Sequence, residues 1–361
     1  MVIKSLELLN YRNYKSLKLD LSEKTNILYG DNAQGKTNVL EAVYVCATTK
    51  SHKGSKDREM IRFGCEDAHL RMFIERRGAL HKIDMHLKNH KNKGVAVDGS
   101  QVKRSSELMG LIHVVFFSPE DLAMIKNGPS YRRRFIDMEL CQLDKMYLYR
   151  ISGYNKVIAQ RNNLLKQIGF QPELKDTLDV WDVQLADYGK RIIRARRDFI
   201  DALNGLTGPI HEKLTGGRER LTVRYEPNVS EERFEEQIFL QRDHDLMLKT
   251  TGTGPHRDDI SFYINDVDIR KYGSQGQQRT AALSLKLAEI DLVRKAVNDT
   301  PVLLLDDVLS ELDSFRQNYL LESINDTQTI ITCTGLDDFI NSRFDIDRIF
   351  KVVNGEIEES H

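Results

Sequence analysis

The sequence predicts an α/β fold in which a mixed sheet surrounds a phosphate-loop helix, joined to a mostly helical second lobe with a short antiparallel helical arm. Four observations lead to it. Gly30-Asp31-Asn32-Ala33-Gln34-Gly35-Lys36-Thr37 matches the phosphate-loop pattern G-x-x-x-x-G-K-[ST]. Thr25 to Tyr29 reads as the strand entering that loop, and Leu40, Val43, Tyr44 and Ala47 mark one face of a helix leaving it. Val302-Leu303-Leu304-Leu305 is wholly apolar behind Pro301 and ends in Asp306-Asp307, as a strand buried on both faces of a parallel sheet would. Finally, Tyr147, Ile151, Tyr154, Ile158, Leu165 and Ile168 keep a four-three spacing interrupted only by Arg161. Gly169 to Pro172 breaks it, and Leu178, Trp181, Leu185, Tyr188, Ile192, Ala195 and Phe199 resume it, which predicts two antiparallel helices packed along a seam.

The other elements follow in chain order. Residues 1 to about 115 read mostly as strands: Leu17, Leu19 and Leu21 alternate with polar neighbours, as do Leu70, Met72 and Ile74, and then Ile83, Met85 and Leu87. Asp98-Gly99 signals a hairpin between Val97 and Val102. From Ser118 the pattern is helical, and residues 205 to 250 are polar and mixed, which leaves their structure open. After Thr251 the chain is expected to rejoin the sheet through Ile260 to Ile264. A helix over Ala281 to Val293, the strand before Asp306, another at Thr329 to Thr332, and a hairpin from Arg348 turning at Asn354-Gly355 complete it. The expected organisation is therefore a head made of 1–115 and 251–361, with 116–250 as the helical lobe.

The chemistry legible in these motifs is nucleotide chemistry. Backbone N–H groups of Gly30, Asp31, Asn32, Ala33, Gln34 and Gly35 would close around phosphates, with Lys36 reaching the outer ones and the Thr37 hydroxyl meeting magnesium. The helix N-terminus adds partial positive charge beside them, and ATP is the expected ligand. Asp306, at the C-terminal edge of its strand, suits the same magnesium. Asp307 could orient or deprotonate the attacking water. Without the phosphate loop an Asp pair there would more simply serve a turn or a cap. Ser274-Gln275-Gly276-Gln277 stands ahead of an apolar helix and offers a second anion site at a helix N-terminus, although alone it is only a Gly-containing loop with an N-cap.

Composition narrows the partners. The 53 basic and 54 acidic residues give a formal charge of −1, so any DNA site must be a local patch. Cys46, Cys65, Cys141 and Cys333 stand far apart without C-x-x-C spacing, which argues against a zinc site or a disulfide framework and suits a reducing cytoplasm. No signal region precedes Asn10, and no segment approaches the ~20 apolar residues of a membrane span.

These residues resemble the ABC-type ATPases of the SMC class and, within it, the bacterial recombination mediators. The resemblance rests on Asn10-Tyr11-Arg12-Asn13-Tyr14, the phosphate loop, Phe117-Ser118-Pro119-Glu120-Asp121-Leu122, Arg132-Arg133-Arg134-Phe135, Gly254-Pro255-His256-Arg257-Asp258-Asp259, Gly273-Ser274-Gln275-Gly276-Gln277-Gln278-Arg279 and Leu305-Asp306-Asp307-Val308-Leu309-Ser310-Glu311-Leu312-Asp313. It implies an ABC-type head whose signature, Ser274, Gly276 and Gln277, closes on the nucleotide of a second copy. Lys36, Asp307 and Ser274 would carry catalysis, and Arg12 and Asn13 would contact the nucleotide, with a plain surface turn as the alternative. The chain would then be an ATP-dependent dimer that binds duplex or gapped DNA at ssDNA–dsDNA junctions. It would help load RecA with RecR and RecO in gap repair and the SOS response, at the nucleoid in the cytoplasm. Two departures stand out. Asp307 occupies the place of the usual Glu, which implies slow hydrolysis, and Cys333-Thr334 replaces the usual switch His.

Three basic clusters are candidates for DNA phosphates: Arg191, Arg194 and Arg197 on one face of the second arm helix; Arg132, Arg133 and Arg134; and Lys50, Lys53, Lys56 and Arg58. No base-reading motif is present, so recognition of shape is expected rather than of sequence. Two rival readings share the phosphate loop. The nucleotide-binding subunit of a membrane transporter fits all three motifs but not the long stretch between Thr37 and Ser274, and a small-molecule kinase leaves the signature idle.

Overall fold

The computed structural model describes residues 1–122, 124–336 and 346–360. The chain divides into two compact units, Met1–Leu122 with Glu289–His361, and Ala123–Ala288. The first begins with strands β1 (Val2–Tyr11), β2 (Tyr14–Asp20), β3 (Thr25–Tyr29), β4 (Asp67–Arg76), β5 (Ala79–Lys88), β6 (Gly94–Val97), β7 (Ser100–Gln101) and β8 (Val114–Phe117). The second unit holds β9 (Leu221–Glu226), β10 (Asp259–Ile264) and β11 (Val267–Asp268). The chain then returns to the first through β12 (Val302–Asp306), β13 (Thr329–Cys333), β14 (Arg348–Val353) and β15 (Glu356–Ser360).

In the first unit, described residues form two six-stranded sheets, ordered β15-β14-β3-β13-β12-β8 and β2-β1-β4-β5-β6-β7. From β14 to β8 the first is parallel, with β15 antiparallel at its edge. Every residue of β12 and β13 is buried, as the unbroken apolar run at 302–305 predicts. The second sheet is antiparallel, and the alternations read from sequence become its buried face: Leu8 opposes Leu70, Leu70 opposes Met85 and Met72 opposes Ile83. The opposite face is polar, with Arg71 paired to Asp84 at 2.7 Å. The hairpins expected at Asp98-Gly99 and Asn354-Gly355 are both present.

Ile260 to Ile264 does not rejoin the large sheet. As β10 it pairs antiparallel with β9, in a separate three-stranded sheet completed by β11. The boundary expected at 251 accordingly shifts to within the helix Gln275–Val297. The reason lies in the polar segment whose structure the sequence left open: β9 supplies the neighbour for an apolar run that, in isolation, looks like a central strand.

The arm is formed by the helices Lys145–Ile168 and Leu178–Leu214. Their pairing is antiparallel: Tyr188 stacks edge-on near Tyr149, Arg161 meets Asp182, and Ile168 clusters with Leu178, Leu164 and Leu165. Arg161, the one break in the apolar stripe, is fully buried between Asp182 and Asp245, each at 2.6 Å, and it also donates to the Thr251 hydroxyl. Breaking a buried pair strands the remaining charge. Arg161→Ala should therefore destabilise the arm by about 3–5 kcal/mol, read by urea unfolding through the single Trp181, which packs on the same cluster. A loss below about 1 kcal/mol would show that the two aspartates need no cation.

Candidate nucleotide-binding site

β3 ends at Tyr29, and the chain turns through the phosphate loop into the helix Lys36–Thr48. The turn requires glycine at two places. Gly30 has φ +145° and a Cβ there would lie 2.4 Å from the Val352 carbonyl oxygen; Gly35 has φ +120° and a Cβ would lie 2.4 Å from Asn13 Nδ2. Lys36 Nζ arches over the loop and donates to the carbonyls of Gly30 and Asp31. Asp31, Asn32 and Ala33 are exposed at the tip of the loop.

The carboxylates expected opposite the loop are there. Thr37 Oγ1 donates to Asp306 Oδ1 at 2.8 Å, and Thr332 Oγ1 donates to the same oxygen at 2.8 Å. Thr332, on the strand beside β12, therefore aims Asp306 at the loop. Asp307 follows with φ 52°, a conformation that Asp tolerates better than most residues, and its N–H is held by Thr332 Oγ1 at 3.0 Å. Burial pushes the Asp307 carboxyl above its ordinary range; the positive charge of Lys36 opposes this, while Asp306 and Glu311 add to it. A raised carboxyl is a stronger base once ionised, which suits a group that handles water.

Of the two sequence-nominated residues of the first turn, Asn13 touches the loop and Arg12 does not. Asn13 braces the loop: its Nδ2 donates to the Gln34 carbonyl at 2.8 Å, and its Oδ1 accepts from Asn38 Nδ2 at 2.8 Å. Arg12 instead forms a bidentate pair with buried Glu41 at 2.8 and 2.7 Å and donates to Ser55 Oγ, tying the segment after the helix to the first strand. Sequence reasoning found the C-terminal hairpin but not its contact with the loop: Asn354 N–H donates to Gln34 Oε1 at 2.6 Å and Gly355 N–H donates to the Gln34 carbonyl. The Asn-Gly pair signalled a turn, but nothing local shows what a turn touches.

The signature belongs to the other unit. Ser274 caps the helix Gln275–Val297: its Oγ accepts from Gln277 N at 3.2 Å, and Gln277 Oε1 accepts from Ser274 N at 2.9 Å, a reciprocal capping box. Ser274, Gln275 and Gly276 are exposed, so this N-terminus is presented to solvent. Gly254 to Asp259 serves architecture. Asp258 receives buried Arg196 at 3.0 Å, and burial holds His256 down to about 4, so its ring is neutral near pH 7 and bonds Tyr154 Oη.

The basic clusters divide. Arg132 is buried in a bidentate pair with Asp259 at 2.6 and 2.9 Å, so the expectation that it meets DNA is corrected: its charge is spent inside the lobe. Arg133 is half-buried and donates to the Asp258 carbonyl, while Arg134 is exposed. Arg191 and Arg194 are exposed and Arg197 half-buried on the outer face of the arm, where Asp187 and Glu231 stand close. Lys50, Lys53, Lys56 and Arg58 are exposed, and the last two share a surface depression with Lys88, His90 and Lys91. None of the four cysteines is in a disulfide, and Cys333 is buried at the end of β13.

Comparison with known proteins places this geometry in context. The family model described as "RecF/RecN/SMC N terminal domain" matches residues 2–358. A DNA replication and repair protein RecF from Lachnoclostridium phytofermentans is 62% identical over 99% of this chain and 100% of its own length. A solved structure of the recombination mediator protein RecF-ATPrS superposes with a TM-score of 0.92 at 35% identity, covering 99% of this chain and 98% of that one. The Smc head domain of Pyrococcus furiosus shares the fold at a TM-score of 0.57 and 16% identity, covering 99% and 96%.

Proposed function

The chain belongs to the RecF branch of the RecF/RecN/SMC family, and from that premise we propose that it is an ATP-dependent DNA-binding recombination mediator that dimerises on ATP. The observation that carries this reading is the assembly of Lys36, Thr37, Asp306 and Asp307 at the C-terminal edge of the parallel sheet, in a chain that matches RecF over its whole length. The full-length match leaves the transporter-subunit reading without support, and no helix among the described residues is long and apolar enough to cross a membrane.

In this reading Lys36 releases its loop carbonyls to reach the outer phosphates, and the loop amides hold the inner ones. Thr37 and Asp306 offer hard oxygen ligands that suit Mg2+. Among the described residues no three His, Cys, Asp or Glu side chains gather into a metal site, so such an ion would take its other oxygens from phosphate and water. Asp307 orients the attacking water. Being one methylene shorter than Glu, it supports slow hydrolysis, and stimulation by DNA belongs to the same proposal. Ser274 and Gly276 of a second copy complete the site, so ATP holds two chains together and hydrolysis releases them.

The partner is DNA, at duplex or ssDNA–dsDNA junctions, and by family RecR together with the RecO and RecA pathway; the place of action is the nucleoid in the cytoplasm. Phosphate contacts supply the affinity. Binding should therefore weaken with salt by a log-log slope of about −0.9 per phosphate neutralised and vary little with base sequence. Neutralising Arg191, Arg194 and Arg197 together should make that slope shallower without affecting dimerisation. An unchanged slope would move the DNA site to Lys50, Lys53, Lys56 and Arg58, or to Arg133 and Arg134.

A further inference from the structure

The signature turn is held from behind by a chain of side chains that no motif reveals. Gln277 Nε2 donates to Glu219 Oε1 at 2.9 Å, which fixes the orientation of the amide whose Oε1 accepts the Ser274 N–H. The second Glu219 oxygen meets His211 Nε2 at 3.3 Å, and His211 Nδ1 bonds Ser284 Oγ at 2.9 Å. His211 and Ser284 are both fully buried. Ser284 Oγ also lies 2.8 Å from the Thr280 carbonyl, and Thr280 Oγ1 donates to the Gly276 carbonyl at 2.8 Å. Contacts from the last turn of the helix Leu178–Leu214 and from Glu219 thus grip the signature helix at its first and third turns. Glu219 is itself set by its neighbour, since Arg220 N donates to Asn265 Oδ1 at 2.9 Å.

We propose that Glu219 is a positioning residue for the signature: by orienting the Gln277 amide it fixes Ser274 and the exposed amides of the first turn in the geometry that a phosphate bound to a second copy requires. This rests on the reading that the signature closes a two-chain nucleotide site. An amide side chain is free to rotate by half a turn, and only a directed partner makes it present oxygen rather than nitrogen to the Ser274 N–H. Glu219 can act only as an acceptor when ionised, so it selects the Gln277 Nε2 end and turns the oxygen toward the cap. His211 Nε2 stands 3.3 Å from the second carboxylate oxygen, which limits how far the carboxylate can rotate away.

The test compares Glu219→Ala and Glu219→Gln with the parent. Glu219→Gln keeps an oxygen for Gln277, whereas Glu219→Ala removes it. Three quantities are read: the ATP concentration that half-dimerises the chain with magnesium, the ATP affinity at a dilution where the chain is monomeric, and hydrogen exchange of the Gly276 to Gln278 amides without nucleotide. Glu219→Ala should need on the order of tenfold more ATP to dimerise, with unchanged monomer affinity and faster amide exchange. Glu219→Gln should stay within about twofold of the parent. Parental dimerisation by Glu219→Ala, or a matching loss of monomer ATP affinity, would overturn the proposal. Should the parent itself not dimerise on ATP, the two-chain reading falls, and amide exchange decides the positioning role: faster exchange in Glu219→Ala sustains it, and unchanged exchange overturns it.

Discussion

Lys36→Ala is expected to abolish ATP binding, while Asp307→Asn is expected to bind ATP at near-parental affinity and hydrolyse it about a hundredfold or more slowly. The two differ because the residues act at different moments. Lys36 Nζ sits over the loop and donates to the Gly30 and Asp31 carbonyls, which phosphate oxygens replace at a gain in charge complementarity. Truncation removes that cation from a site built to receive several negative charges. Asp307, by contrast, is aimed by Thr332 and raised by burial, and its isosteric amide keeps its shape while losing its basicity. Equilibrium dialysis with labelled ATP and single-turnover hydrolysis separate the two variants. Equal ATP affinity in the parent and Lys36→Ala would remove the phosphate-loop assignment.

Ser274→Arg should block ATP-driven dimerisation and leave ATP binding to the monomer intact. Ser274 is exposed and caps the signature helix through Gln277, so a long cation there loses the cap and projects into the space where the second chain's nucleotide must dock. The phosphate loop lies on the other unit and keeps all its own partners. A variant that dimerises like the parent would place the signature outside the interface.

Much of this site is legible because its motifs are contiguous. The glycines at 30 and 35, the lysine between loop and helix, and the carboxylates closing an apolar strand each follow from local backbone or burial demands. What the sequence conceals is pairing at a distance. Ile260 to Ile264 has the composition of a central strand, and only the presence of β9 sends it to another sheet. Arg132 and Arg134 are indistinguishable as letters, yet one is buried on Asp259 and the other is exposed. Arg161 looks like a flaw in an apolar seam because the acids that neutralise it are Asp182 on the next helix and Asp245 beyond it. Glu219 carries no signal at all, since its role is defined by Gln277 and His211 through contacts within the folded lobe.

Light scattering of Asp307→Asn tests the two-chain site most directly, because slow hydrolysis holds the ATP-bound state long enough to weigh. The expected result is one chain mass without nucleotide and twice that mass with ATP and magnesium, with two nucleotides retained per dimer. A mass that is the same with and without ATP, while dialysis shows ATP bound, would contradict it.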